Sequence, residues 1–531
     1  GLDTLVIEST DSFGGSTARS GGGVWIPNNY ALKRAGQEQP VEEVKEYLHS
    51  IIGDEVDRER IDTFVEKGPE ALQFIKDHSE ADFTWVPQYS DYYPEAPGGR
   101  ASGRSIEPKP INGKIIGDEL EHLTTSYTKA PAGMVVTQAD FRKISLGLRT
   151  LRGPLTMLKV ILARLLTLAL GKRMYGMGMA MMIGLRKGLL DRDIPVWYDA
   201  PLTDLEVADG RVTGIVVTRH GTDLTLTARR GVILACGGFE HNDEMRKKHQ
   251  RAPIGTEWTT GAAGNTGAGI RAGEKLGAAL ALMDDAWWGP AIPLPRGPWF
   301  CLAERNLPGS IIVNQSGHRF GNEAAPYVDA VHTMYDSAEK TGVSHVPSWM
   351  IIDQRYRNRY LFAGLGPRQP FPGRWLKEGV IVPSTSLEGL AEKIGVPVDT
   401  LKKTVETFND YARSGTDEDF GRGSSAYDRY YGDPKVTPNP SLGVIDQGPF
   451  YAVKIVPGDL GTKGGIVTDP QARALRPDGS VIEGLYATGN VSSAVMGRTY
   501  AGAGATIGPA ITFGYIAANH IADQPTTDQE G

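Results

Sequence analysis

Cysteine is almost missing from this chain: Cys236 and Cys301 are the only two in 531 residues. Neither belongs to a CxxC pair or a Cys/His cluster, which disfavours a disulfide scaffold and a zinc site and fits a reducing, cytoplasmic setting. Positive charge is not in excess. Lys+Arg number 56 against 63 Asp+Glu, a net charge of −7, so the chain lacks the electrostatic footprint of a nucleic-acid-binding protein. Long apolar runs are missing too. The most apolar stretch, Leu155 to Leu170, is interrupted by Lys159 and Arg164. It is shorter than the roughly 20 residues that span a bilayer. It reads as a helix packed on a core, or as a surface helix that touches a membrane or guards an apolar entrance. GxSxG, HExxH and GxxxxGK[ST] are all absent, and no His/Asp spacing supports a hydrolase triad.

Glycine is what the chain has in abundance: 66 of 531 residues, without a collagen-like period. The usual share is about 7%. Such an excess points to tight turns and to backbone that approaches a ligand closely. At roughly 150 residues per domain the length allows three to four domain-sized units. Residues 2–8 read as a buried strand, and an element is expected before residue 1. Residues 41–79 and 140–190 have helical spacing. Strands are expected near 194–198, 203–208, 211–218, 224–228 and 231–235, with Asp209-Gly210 as a hairpin turn. From Trp287 the periodicity is lost among tryptophans and prolines; a helical segment follows at 387–412, then a polar loop at 413–435. Strand texture returns near 450, and a helix closes the chain at 504–522. This order predicts an α/β domain assembled from both chain ends. Residues 1–286 and 450–531 would form it, and a second α+β unit, 287–449, would be inserted.

Several segments carry chemistry. Glu8 ends a buried strand, where a carboxylate can accept hydrogen bonds from ribose hydroxyls. The GxGxxG turn that precedes such an acid by about 20 residues would lie before residue 1. Phe13 to Val24 holds five glycines with Ser16, Thr17 and Ser20, a backbone suited to an anionic or electron-rich ligand. Gly484-Leu-Tyr-Ala-Thr-Gly-Asn490 runs a strand into a turn glycine. The Met496–Ala510 segment then places Gly502, Gly504 and Gly508 before a helix, with Pro509 early in it. The unpaired N–H groups of that helix start would stabilise an oxyanion. Gly317 to Tyr327 reads as a turn with a buried tyrosine, His318 and Arg319 being equally compatible with solvent.

Phe13 to Asn28 resembles the second flavin-binding segment of 3-ketosteroid Δ1-dehydrogenases, flavoproteins of the fumarate reductase type. The resemblance extends to Trp85–Pro94, Gly458–Gly465 and Gly497–Ala510, and covers nearly the whole chain. It implies a Rossmann-like FAD-binding domain. FAD would be held by Glu8, Gly14, Gly15, Ser16, Thr17, Gly22, Gly23, Ala235, Gly238, Gly489, Asn490 and Ile507. It also implies that Tyr500 and the Gly504 N–H hold the steroid C3 oxygen. Tyr327 would take the C2 proton with help from Tyr127, and the flavin would accept hydride from C1. Trp299 and Phe300 would wall the steroid, and no metal is implied. The expected electron acceptor is quinone-like or an artificial dye. Neighbouring readings are a Δ4(5α)-dehydrogenase, a soluble fumarate reductase-like enzyme, and a steroid-binding protein that has lost its flavin. The Tyr500–Gly504 spacing favours the first-named activity.

Overall fold

A computed structural model describes residues 2–127 and 133–524. One sheet joins strands from distant parts of the chain. The strand Val232–Leu234 runs parallel to Val481–Ala487, which is flanked on its other side by Arg473–Leu475. Close by, Val6–Ile7 pairs in parallel with Val196–Trp197. Strands Leu202–Ala208, Arg211–Arg219 and Thr222–Thr227 form an antiparallel meander over the same core. Its first turn sits where the sequence places it: Asp209 and Gly210 have φ of 50° and 77°. Positive φ at both positions is the requirement of the two-residue turn that matches strand twist. Leu205, Val212, Leu234, Ile270, Ile466 and Leu485 are buried together beneath these strands.

The helical stretches appear as Val41–Ile52, Arg58–His78, Gln138–Ser145, Arg152–Ala169 and Met177–Leu190. The closing helix is Ile507–Asp523. It packs on Arg58–His78, where a Cβ at Gly68 would lie only 2.9 Å from Ile26 Cγ2 and 3.4 Å from Thr512 Oγ1. The bare glycine lets the two helices and the Ile26 segment approach.

The middle of the chain builds a second sheet. Its order is Trp299–Phe300, Ala286–Ile292, Phe450–Thr462, Ser348–Asp353, Ser310–Val313, with Ile381–Ser384 also paired to the long strand 450–462. Two features differ from the sequence expectation. The stretch after Trp287 is a strand, Ala286–Ile292, buried at every position. A strand covered on both faces shows no alternation, so periodicity could not reveal it. The sheet also runs across the boundary expected at 449/450, because Phe450–Thr462 is its central strand.

A buried ion network fixes the turn that leads into the helix Tyr327–Thr341. Arg319 lies only 9% exposed and pairs with Glu323 at 2.8 Å and Asp417 at 2.8 Å. It is therefore a buried structural cation. His318 beside it is exposed. Arg422 pairs with Glu323 at 3.1 Å and donates to the carbonyls of Ser310, Arg305 and Leu307. Burial alone would raise the carboxyls of Glu323 and Asp417; the guanidinium of Arg319, joined at Glu323 by that of Arg422, outweighs it and holds both low. Their folded values lie below the unfolded ones. This contribution is therefore complete above the ordinary carboxylate range and is lost as pH falls through the folded values. Removing one partner of a buried network leaves charge uncompensated, at a cost of about 3–5 kcal/mol. Arg422→Leu is expected to destabilise the protein by that amount at neutral pH, with the deficit shrinking in acid. Denaturant unfolding followed by tryptophan fluorescence checks it.

Candidate active site

Tyr327 is the first residue of its helix and is buried. Its hydroxyl accepts a hydrogen bond from Tyr92 Oη at 3.0 Å. Tyr500 lies beside both, with ring centroids 5.4 Å from Tyr327 and 5.2 Å from Tyr92. Thr506 Oγ1 donates to the Tyr500 oxygen at 3.0 Å. Gly504 has φ +100°, and a Cβ there would fall 2.4 Å from the Gly23 carbonyl and Val24 N. Only glycine allows the loop at 504 to lie against the loop at 23.

Long-range bonds bring these segments into register. Tyr92 N donates to the Ala501 carbonyl at 3.1 Å, and Tyr47 Oη donates to the same carbonyl at 2.6 Å. Asp91 pairs with Arg104 and accepts from Trp25 Nε1 at 3.0 Å and Arg100 N at 3.1 Å. Arg305 holds the turn before Tyr327 through the Glu323 and Ala325 carbonyls.

The surroundings are aromatic. Phe300 meets Tyr327 edge-on at 5.0 Å, and Trp287 lies 4.9 Å from Tyr500. Tyr427 lies 4.8 Å from Tyr92, and Tyr89 stacks on Tyr430 at 4.5 Å while accepting from Tyr431 Oη. Burial in this dry cluster pushes the Tyr327 hydroxyl well above the usual phenol range, and the bond from Tyr92 opposes the shift. Tyr500 is also raised by burial, against the pull of Thr506, Tyr327 and Gly504.

Of the residues singled out in the sequence, Tyr327, Tyr500, Gly504 and Phe300 come together. Trp299 faces the other way, its Nε1 on Glu304 at 2.8 Å, as alternation along a strand requires. Tyr127 packs at the border of the cluster, pushed up to about 12 by burial and by the charge of Glu304. The phenol that bonds Tyr327 is Tyr92. It lies within the Trp85–Pro94 run, but three tyrosines share that run and spacing alone does not choose among them. Thr506 and Trp287 were likewise not singled out.

The glycine loops make a cradle that fits a flat cofactor. Gly15 has φ +47° with no atom within 4 Å of where a Cβ would stand, while Gly22 at φ +65° lies against Gly178. Ser16 Oγ accepts from Ala262 N and Asn265 Nδ2 at 2.9 and 3.0 Å. Glu8 takes the bonds from Ser9 and Thr10 on Oε1 alone, which leaves Oε2 for a ribose hydroxyl. Ala235 ends the strand Val232–Leu234 exposed, and Asn490 Oδ1 accepts from Trp287 Nε1 at 2.9 Å. Thus the cradle and the tyrosine cluster share Trp287. Next to Gly238 lies Glu240, fully buried, with Oε2 unpartnered among the described residues; burial and the charge of Asp459 push its carboxyl up to about 7. Beneath Trp287, Lys463 lies 4.9 Å from the indole ring and 3.3 Å from Asp285. Burial alone would raise Asp285; Lys463 and His332 together outweigh it and hold the carboxyl at about 2. No group of metal-ligating side chains occurs among the described residues.

The FAD binding domain family matches residues 1–507. The 3-oxosteroid 1-dehydrogenase of Mycolicibacterium smegmatis is 57% identical over 100% of this chain and 95% of its own length. The crystal structure of 3-ketosteroid Δ1-dehydrogenase from Sterolibacterium denitrificans, in complex with 1,4-androstadiene-3,17-dione, is similar with a TM-score of 0.93. It is 41% identical, over 98% of this chain and 95% of that one. The 3-ketosteroid-Δ4-(5α)-dehydrogenase of Rhodococcus jostii RHA1 shares the fold at a TM-score of 0.66 and 21% identity, covering 98% of this chain and 92% of its own. Mixed α/β architecture, a glycine cradle for FAD and full-length similarity agree: the chain belongs to the 3-oxosteroid 1-dehydrogenase family of FAD-binding oxidoreductases.

Proposed function

We propose that this chain desaturates ring A of 3-ketosteroids between C1 and C2, with Tyr327 taking the C2 proton. The observation that carries the reading is the Tyr92–Tyr327 hydroxyl pair standing beside Tyr500, whose oxygen accepts a hydrogen bond from Thr506 Oγ1. A C2 proton is acidic only because charge can move onto the C3 oxygen. Tyr500 O–H and the Gly504 N–H donate to that oxygen and stabilise the charge as it develops. Tyr327 receives the proton and Tyr92 stabilises its oxygen while it is anionic. FAD held in the cradle would supply the hydride acceptor for C1; loss of that hydride and of the C2 proton would leave the C1–C2 double bond. Trp287 and Phe300 face the steroid's apolar surface and keep water from the enolate-like oxygen. Tyr127, packed against the edge of the cluster, is assigned to the wall of the site. The electrons would pass on to a quinone-like or dye acceptor.

A dicarboxylate substrate fits this environment poorly. The lining groups are phenols, an indole and a phenyl ring, and Lys463 beneath them is already paired with Asp285.

Anaerobic bleaching of the flavin band by androst-4-ene-3,17-dione, with a 1,4-dien-3-one product, is the expected result; a yellow protein that does not bleach overturns the reading. Tyr327→Phe is expected to slow that reduction by about 10²–10⁴-fold, the usual contribution of a general base. Tyr500→Phe is expected to slow it by about 10²–10³-fold through loss of an oxyanion donor. Flavin content should be unchanged in both.

The pH dependence follows from the sign of the Tyr327 shift. Burial raises its pKa, so the ionised base is scarce at neutral pH and the rate should climb as pH rises. A hydrogen bond to a charged group is worth about 1.5–3 kcal/mol. Tyr92→Phe should therefore move the rising limb about one to two pH units higher. Stopped-flow flavin reduction across the alkaline range checks this.

A further inference from the structure

The helix Arg152–Ala169 touches the rest of the protein along one stripe, Gly153, Thr156 and Val160, and little else of it is buried. The opposite face is leucine. Leu155, Leu158, Leu162 and Leu165 are 63%, 52%, 56% and 57% exposed, and Leu151 just before the helix is 83% exposed. These positions recur at intervals of three and four, so they share one side of the helix. An apolar face of this length in water points to a covering partner. We propose that the partner is an anionic lipid bilayer, with the helix lying in the plane of its headgroup boundary.

Charge selects that occupant. From residue 141 to 190 the chain carries no Asp or Glu, although the whole chain has a net charge of −7. Arg152 and Lys159, seven residues apart and both exposed, flank the leucine face; Lys172 and Arg173 follow its end, also exposed. Basic side chains beside a leucine face place their stems along acyl chains and their charges among anionic headgroups. A second copy fits less well, because a two-fold contact would set each basic flank against the same flank of its mate. The helix is not a span: no helix among the described residues is long and apolar enough to cross a membrane.

The segment is tied to the site. Gln138 Nε2 donates to the Gly21 carbonyl at 3.0 Å, Arg142 lies 4.1 Å over the Tyr430 ring, and Arg149 pairs with Asp433 at 2.7 Å. The lipid-facing helix is thus fixed beside the cofactor loop and the aromatic wall, where an apolar substrate dissolved in the bilayer would arrive. The surface proposal itself does not rest on the reaction.

The test is cosedimentation of the FAD-loaded full chain with sucrose-filled vesicles, of phosphatidylcholine alone or with one-quarter phosphatidylglycerol. Binding to the anionic vesicles is expected. The triple variant Leu155→Ser, Leu158→Ser, Leu162→Ser should lower the partition coefficient by about tenfold or more. Arg152→Gln with Lys159→Gln should remove the preference for phosphatidylglycerol. Flavin content and turnover with detergent-dispersed steroid should stay unchanged in both, which separates lost docking from lost folding. No pelleting of the wild type, or equal pelleting of the triple variant, overturns the proposal. So does a leucine-dependent dimer in light scattering without vesicle binding. Equal binding to both vesicle types overturns the choice of anionic lipid.

Discussion

A phenol oxygen in a dry interior gains from a hydrogen-bond partner, and at the centre of this protein two such pairs are phenol to phenol, Tyr92 to Tyr327 and Tyr431 to Tyr89. An unpaired buried hydroxyl costs more than a formed bond contributes. Tyr92, Tyr327 and Tyr500 therefore hold one another at fixed distances: the 3.0 Å bond between Tyr92 and Tyr327, and ring contacts of 5.2–5.4 Å around Tyr500. The same desolvation that forces the pairing raises the pKa values. It makes the cluster costly to ionise and strongly responsive to any charge that appears on a neighbouring oxygen. Structure and reactivity here have one cause.

The three tyrosines come from distant parts of the chain, and separate devices deliver each. Tyr92 is fixed by backbone and side-chain bonds to Ala501 and by the Asp91–Arg104 pair. Tyr327 depends on a turn braced by Arg305 and by the buried network of Arg319, Glu323, Asp417 and Arg422. Tyr500 is set by the close approach of Gly504 to Gly23, a contact that also joins the Tyr500 loop to the glycine cradle. Buried ion pairs add little net stability over a well-packed apolar core. Their use around Tyr327 is understandable as placement, since Arg305 and Arg422 each fix several carbonyls while Arg319 clamps Glu323 to Asp417.

Much of this was legible in the sequence, for particular reasons. The hairpin at Asp209-Gly210 was readable because positive φ at two successive positions narrows the choice of residues. The cradle was readable because only glycine permits the approach at 22 and 504. Expected strands at 203–208 and 211–218 emerged within a residue of their places because one face of each is covered and the other is wet. Ala286–Ile292 was illegible because burial on both faces erases the pattern. The central role of Phe450–Thr462 was illegible because pairing with three distant strands leaves no local trace. Resemblance pointed to Tyr327 and Tyr500, whereas Tyr92 was one of three tyrosines in a short run, and only its bond to Tyr327 distinguishes it. The sequence left Arg319 open between interior and solvent, because its partner Asp417 lies 98 residues away.

The central claim is that the tyrosine cluster exists to remove a proton from C2 against the cost of its own desolvation. It is tested most directly by anaerobic flavin reduction with a 3-ketosteroid deuterated at C2, in the wild type and in Tyr92→Phe. The account predicts a primary isotope effect that grows in the variant, because weakening the base makes proton removal slower relative to every other step. Equal rates for the protiated and C2-deuterated steroid in both proteins would contradict it.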